Sequence, residues 1–425
     1  MMLSEYYLHH KIITVVTVMI LPYMFILPIN NYIAVHYGFY PISDNVVFML
    51  LVAFLFIFLG SVLSSILGGK PEQRVSIEAD AVEKFPMYHM DLMKWYVIAV
   101  EIILLIKLFY ILYAHGFAYL ADDAAESNFI SGIAGHLFLT IYPLIPILFY
   151  YWLKNKRQIL FLFLSFMGLI FAFLSFTKYH SIGLIILIYL FVALEDRKYV
   201  KKGALALVIA AVGIFVINYV LGFFSRNVLG NVSGDFYLMH LWKYIGGSCI
   251  HDNTIFTSGQ NIGVGYGYKL LYCVFPFINM ILIGAFGTGL DIPVKIPFDV
   301  VADNGETTNV LDFIGFMFPS EGGAGNYLAF AVIMIMFGLI LSYIYNVQAR
   351  KRQLFSVLAC IIMTFFCFLS FFGIFASRSM IWELMLWSVI MPMIFDGRIC
   401  FDRRKSWGRY KQDAIESRQE RLENV

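Results

Sequence analysis

Charge is scarce in this sequence: of 425 residues, only 14% are Asp, Glu, Lys or Arg. That excludes an ordinary water-soluble domain, whose surface needs about a quarter of its residues charged. The signatures of soluble enzymes are missing as well. There is no phosphate-cradling glycine loop ending in Lys-Ser/Thr, no His-Glu-x-x-His and no Ser nucleophile elbow. The five cysteines, Cys249, Cys273, Cys360, Cys367 and Cys400, form no Cys-x-x-Cys pair. A zinc ribbon and a thioredoxin-like redox motif are therefore excluded, and a Cys249–Cys273 disulfide is not expected. No internal repeat and no low-complexity linker divides residues 1–425, so one integral membrane domain is the simplest organisation.

What the sequence has in quantity is apolar and aromatic residues, 60% and 18% of the total. Apolar runs recur at lengths that match the roughly 20 residues needed to cross about 30 Å of hydrocarbon. No small-residue cleavage site follows Lys11, so residues 12–35 read as a first retained helix. Further spans are expected at about 46–68, 95–114, 133–153, 159–176, 181–194, 203–223, 326–346, 354–375 and 380–396. The expected fold is thus an all-α polytopic membrane protein with about ten transmembrane helices, or eleven to twelve if re-entrant segments are counted.

Cations decide how this chain is threaded. With both termini in the cytoplasm, the inward segments carry 23 of the 30 Lys and Arg. The outward ones carry six: Lys178, Arg226, Lys243, Lys269, Lys295 and Arg378. This obeys the positive-inside rule. The apolar stretch 268–287 (YKLLYCVFPFINMILIGAFG) tests it, because an eleventh crossing there would turn QARKRQ and the basic tail outward. Pro276, Asn279, Gly284 and Gly287 further suit a re-entrant or interfacial segment. Residues 224–325 then form one large outward region, and residues 396–425 a basic cytoplasmic tail lying on anionic lipid.

That outward region has the composition of a site. It contains Arg226, Asp235, His240, Lys243, His251, Asp252, Lys269, Asp291, Asp299, Asp303, Glu306, Asp312 and Glu321, interspersed with glycine and aromatic residues. The outward loop 115–132 carries the Asp122–Asp123 pair, which reads as solvated rather than metal-binding. Helices 159–176 and 181–194 share 36 residues for two crossings, so the turn FTKYHS between them sits at or just below the outer boundary. Lys178 and His180 then point into the bundle, where a buried ionisable group is a functional candidate and a snorkelling anchor is the plainer alternative. Arg378 is the single cation of its short turn, with Glu383 about one turn into the next helix as a structural partner. Glu101 and Lys107 in the third helix lie on different faces and read as structural. Clustered Lys, Arg and His at an outer membrane face suit a membrane-anchored diphosphate, whose oxygens guanidinium groups bind in pairs.

The segment TTNVLDFIGFMFPSEGGAGNYLAFAVIMIMFG resembles the late region of bacterial oligosaccharide repeat-unit polymerases, the Wzy-type O-antigen and capsular polysaccharide polymerases. Thr308, Asn309 and Val310 match a Thr-Asn-Val element, and Gly322 and Gly325 match the glycines of an Asp-Phe-Gly-x-x-Gly turn. Ser320 stands where that turn has Asp, with Glu321 beside it. Upstream, KYIGGSCIHD resembles the family's Tyr-x-x-Gly-Ser element, and TKYHSIGLIILI occupies the place of its basic turn and helix. The resemblance spans roughly residues 170 to 395, in order.

What the resemblance implies is a GT-C-like membrane glycosyltransferase of the bacterial inner membrane, with its active site facing the periplasm. Its donor and acceptor are both polyprenyl (undecaprenyl) diphosphate-linked oligosaccharides, joined by attack of a sugar hydroxyl on the anomeric carbon with loss of polyprenyl diphosphate. The leaving group is already activated, so charge stabilisation supplies much of the catalysis, and neither metal nor cofactor is expected. Arg226 and Arg378 are expected to hold the diphosphate, supported by Lys178 and Lys243, with His180 and Asn309 completing the substrate contacts. His251, Asp252 and Glu321 are the candidate bases. Membrane lipid and a chain-length regulator protein are expected partners, and nucleic acid is not. Two alternatives remain, an O-antigen ligase and a flippase or transporter of lipid-linked oligosaccharide. The transporter predicts an internal repeat and charged residues near the bilayer midplane.

Overall fold

A computed structural model describes residues 14–67, 90–116, 129, 132–156, 158–174, 178–195, 197–199, 201–207, 209–210, 213, 234–258, 269, 278–279, 281–289, 298–308, 310–319, 324–351, 354–373 and 379–395. Almost all of them are helical, and the helices begin and end close to the apolar runs. They are α1 (Val15–Tyr32), α2 (Asp44–Leu67), α3 (Met90–His115), α4 (Gly132–Ile141), α5 (Ile145–Lys154), α6 (Ile159–Leu174) and α7 (Lys178–Glu195). After them come α8 (Gly234–Ile245), α9 (Gly247–Ser258), the short α10 (Phe313–Met317), α11 (Ala324–Lys351), α12 (Leu354–Leu369) and α13 (Ser379–Phe395). Five described stretches are long and apolar enough to cross a membrane, and four shorter apolar helices accompany them. Of the expected span 203–223, residues 203–207, 209–210 and 213 are helical, and the rest lies outside the described residues.

Side chains explain why these helices assemble. In lipid the hydrophobic effect no longer drives helices together, so close packing of small residues must. Gly60 of α2 and Gly338 of α11 face each other's backbone: a Cβ at Gly60 would overlap Ile335 O, and one at Gly338 would overlap Ile57 O. Gly168 of α6 makes the same kind of room for Ile145, and Gly183 of α7 for Phe365. Two interiors result. One gathers around α1, α2, α9, α10 and α11, with Met19, Tyr23, Phe54 and Phe316 buried; the other lies among α3 to α7 and α13, around Phe138, Tyr142, Phe171 and Phe191. Helix α12 serves both, giving Met363 and Cys367 to the first and Leu358, Ile361 and Ile362 to the second. Large apolar side chains such as Phe48, Ile66, Phe109 and Phe163 face outward, as a lipid solvent allows.

One end of the first interior is closed by polar contacts rather than packing. Residues 33–43 fold back on α1, with Asn31 bonding both the N–H and the carbonyl of Ile42 (2.8 and 2.9 Å). A two-stranded antiparallel ribbon, β1 (Asp299–Val300) with β2 (Thr307–Thr308), lies against this loop, and Tyr40 N–H donates to Val301 O at 3.0 Å. Gly38 turns there with φ of 87°, a left-handed conformation that favours glycine.

Below this end, α9 and α10 enter the bundle. Asn253 of α9 accepts from Ser43 N–H (2.9 Å) and donates to Pro41 O (2.8 Å), which fixes α9 beside the start of α2. Tyr23, nine residues before the end of α1, bonds Asp312 at the start of α10. At 1.5 Å per residue that contact lies about 13 Å below the end of α1. Residues 268–287, expected to be re-entrant, are described only at 269, 278–279 and 281–287. Lys269 is buried there, while Ile281, Ile283 and Phe286 are exposed.

Candidate functional site

The two segments KYIGGSCIHD and TTNVLDF, some sixty residues apart, are folded against each other. The first contact is close: a Cβ at Gly247 would meet Thr308 at 3.4 Å, at the near edge of ordinary van der Waals contact. Thr308 is itself buried, and its hydroxyl accepts from Val310 N–H at 3.1 Å, a local turn that presents the Val310 carbonyl. His251, one turn along α9, bonds that carbonyl through Nδ1 at 3.1 Å. The end of α12 holds both segments, since Ser248 donates to Phe371 O (2.7 Å) and Phe313 N–H donates to Ser370 O (2.9 Å).

At the centre of this junction lies a pair of carboxylates. Asp312 caps α10, accepting Gly315 N–H at 2.6 Å through one oxygen and the Tyr23 hydroxyl at 2.7 Å through the other. Asp252 lies alongside, its side chain within hydrogen-bonding reach of Asp312, and neither of its oxygens receives a donor from the described residues. Both aspartates are shut off from solvent, at 1% and 0% exposure. Burial drives both carboxyls upward. Asp252 stands well above the ordinary range, the nearby Asp312 adding to the effect. Asp312 is pushed up to about 6, held back by the donors of Gly315 and Tyr23. The Cys249 thiol completes the group and is raised by burial and by both aspartates. Donor atoms of Cys249, Asp252 and Asp312 all lie within 4.8 Å of one another, so the junction collects groups of metal-ligating type.

His251 has a defined tautomer. A carbonyl only accepts, so Nδ1 carries the hydrogen, and Nε2 is left with a free lone pair and no partner among the described residues. Burial lowers its pKa, countered in part by the bond to Val310 and by the charge of Asp299. The imidazole is therefore held neutral, the form a base requires. Lys269 is buried too; its ammonium donates to Phe318 O at 2.9 Å and lies 5.8 Å from the Phe316 ring, and burial lowers its pKa to about 8.

Among the residues expected from sequence, His251 and Asp252 thus come together, one helical position apart and facing different partners. Lys243 does not stand free: its ammonium bonds Glu306 at 2.8 Å near the ribbon. His180 lies in the second interior, apart from this junction. Its ring packs edge-on against Phe138, Nε2 lies 3.2 Å from Met380 Sδ, and its carbonyl accepts from Tyr142. Arg226, Asn309, Glu321 and Arg378 lie outside the described residues, as do the side chain of Lys178 and the Asp122–Asp123 pair. Glu383, considered as a partner for Arg378, accepts from Trp387 Nε1 (3.0 Å) and meets His136 Nδ1 at 2.8 Å; the pairing with Arg378 lies outside the described residues. Glu101 is buried within α3 with one oxygen unpartnered.

Sequence reasoning did not select Asp312, Tyr23 or Cys249 as site residues. Asp312 carried one usable signal, a lone Asp placed before Phe-Ile-Gly-Phe as a helix cap would be. Tyr23 carried none, being one aromatic among many in an apolar helix. The chain matches no protein-family model, no curated protein and no solved structure.

Proposed function

We propose that this protein is a GT-C-like membrane glycosyltransferase of about ten spans, which polymerises polyprenyl-diphosphate-linked oligosaccharide repeat units at the periplasmic face of a bacterial inner membrane. One observation carries the reading. The two segments that resemble the polymerases, KYIGGSCIHD and TTNVLDF, meet in space and between them enclose His251, Asp252 and Asp312. Polymerisation forms a glycosidic bond between the acceptor hydroxyl oxygen and the donor's anomeric carbon. The bond from that carbon to the diphosphate oxygen breaks, and the hydroxyl proton passes to a base. His251 Nε2 is in the form to take it. Arg226, Arg378 and Lys178 remain the proposed diphosphate contacts, and Lys243 would join them by exchanging Glu306 for phosphate oxygens. Because His251 and Asp252 are enclosed, this reading requires the junction to open to the acceptor.

A transporter of lipid-linked oligosaccharide is the second reading, and the depth of the carboxylate pair favours it. Ionisable groups about 13 Å below the end of a helix are what a proton-coupled carrier places on its path. Deleting the gene and separating the surface glycan on a gel distinguishes the two. Single repeat units that still reach the surface support the polymerase; loss of every surface repeat unit supports the transporter.

A further inference from the structure

Two carboxylates in contact inside a protein pose a problem of charge. Asp312 receives two donors, from Gly315 and Tyr23, whereas Asp252, only 1% exposed and turned toward Asp312, receives none. Gly315 brings them together: its amide bonds Asp312, and a Cβ on it would overlap the Asp252 carboxylate. No cation offsets them among the described residues. Lys243 is bonded to Glu306 and Lys269 to Phe318 O; Tyr23 and Cys249 interact with the pair, and α9 and the elements packed against it also carry His251, Asp44, Tyr244 and Asp299 among the described residues. Two ionised carboxylates at this distance repel strongly in a low dielectric, so one must be neutralised. The distribution of donors says which. The partner supplied with donors is stabilised as the anion, and the partner without them becomes satisfied when it carries its own hydrogen.

We propose that Asp252 and Asp312 form a proton-binding site, in which Asp252 carries one proton and donates it to ionised Asp312, fastening the 247–258 helix to the 310–317 turn. Burial, which raises both carboxyls, acts in the same direction. A divalent cation is the rival counter-charge, since the Cys249 sulfur lies beside both carboxylates. The hydrogens of Tyr23 and Gly315 already aimed at the Asp312 oxygens favour the proton. Losing it would set two like charges against each other at the joint between the two segments. The inference stands whether or not the chain is a polymerase.

Its pH dependence has a definite sign. A folded-state pKa above the ordinary 3.8 means that the folded protein keeps a proton the unfolded chain has released. The stability contribution is therefore complete below about pH 3.8 and is lost as pH rises through the raised value, about tenfold in the folding equilibrium per pH unit for one proton.

Infrared spectroscopy of the full-length protein in lipid nanodiscs, labelled with 13C-carboxyl aspartate, tests this directly. The expected result at neutral pH is a protonated-carboxyl band that shifts with the aspartate label and in D2O, and disappears in Asp252→Asn. Glu101 and Glu383 are also largely buried, and the aspartate label separates their bands from this one. Thermal stability of the wild type should fall with rising pH, and that of Asp252→Asn should fall less steeply, because the amide gives Asp312 a donor that does not titrate. If Asp252→Asn fails to fold, loss of the labelled band on raising the pH of the wild type supports the proton site in its place. Absence of a labelled protonated band in the wild type would overturn the proposal. So would one tightly bound divalent ion per chain by elemental analysis.

Discussion

Gly315 shows how much a missing side chain can decide. Its amide fixes Asp312 while its bare Cα leaves the space that the Asp252 carboxylate fills. Gly315→Ala should therefore cost about 1–3 kcal/mol through overpacking, seen as a lowered melting temperature in detergent. Gly325→Ala, in an exposed first turn of α11 with nothing within 4 Å, should be neutral or stabilise by up to about 1 kcal/mol. The comparison is informative because the resemblance to the polymerases rests on Gly325 and not on Gly315. Tyr23→Phe removes a hydroxyl from a buried carboxylate that then lacks one donor, at a cost of about 1–3 kcal/mol in thermal unfolding. His251 and Asp252 were legible in the sequence as polar residues in an otherwise apolar protein. Their meeting with Asp312 and Tyr23 was not, because it depends on two chain segments entering the bundle and on contacts spanning up to 289 positions.

The long helices were legible because apolar runs near 20 residues have few other uses, and α2, α3 and α11 match the expected spans to within a few residues at each end. What hydropathy could not convey is which helices touch. Helices α2 and α11 lie far apart in the chain and meet with their backbones in contact at Gly60 and Gly338. A Cβ at either would overlap main-chain atoms, which cannot move aside as a side chain can. Gly60→Val and Gly338→Val should thus each prevent assembly, read as aggregation on size exclusion in mild detergent, while Gly284→Val, open on all sides, should elute as wild type. Hydropathy likewise passed over α9. Its sequence GSCIHDNTIFTS is too polar to read as membrane-embedded, yet the backbone and side-chain bonds to Pro41, Ser43, Phe371 and Val310 let it lie within the bundle.

For the molecule as a whole, α12 is the common wall of two interiors, and its end holds both polar segments through Ser370 and Phe371. On the proposed threading, a cysteine introduced into the tail beyond residue 400 should react only with membrane-permeant reagents in intact cells. Labelling by an impermeant reagent would reverse the orientation and move the junction to the opposite face. The most direct measurement reconstitutes the purified protein into liposomes with a polyprenyl-diphosphate-linked repeat unit. The account predicts a ladder of joined repeats with one polyprenyl diphosphate released per bond formed, and its loss in His251→Ala. Movement of the intact lipid-linked unit between leaflets, with no joined product and no released diphosphate, would contradict it.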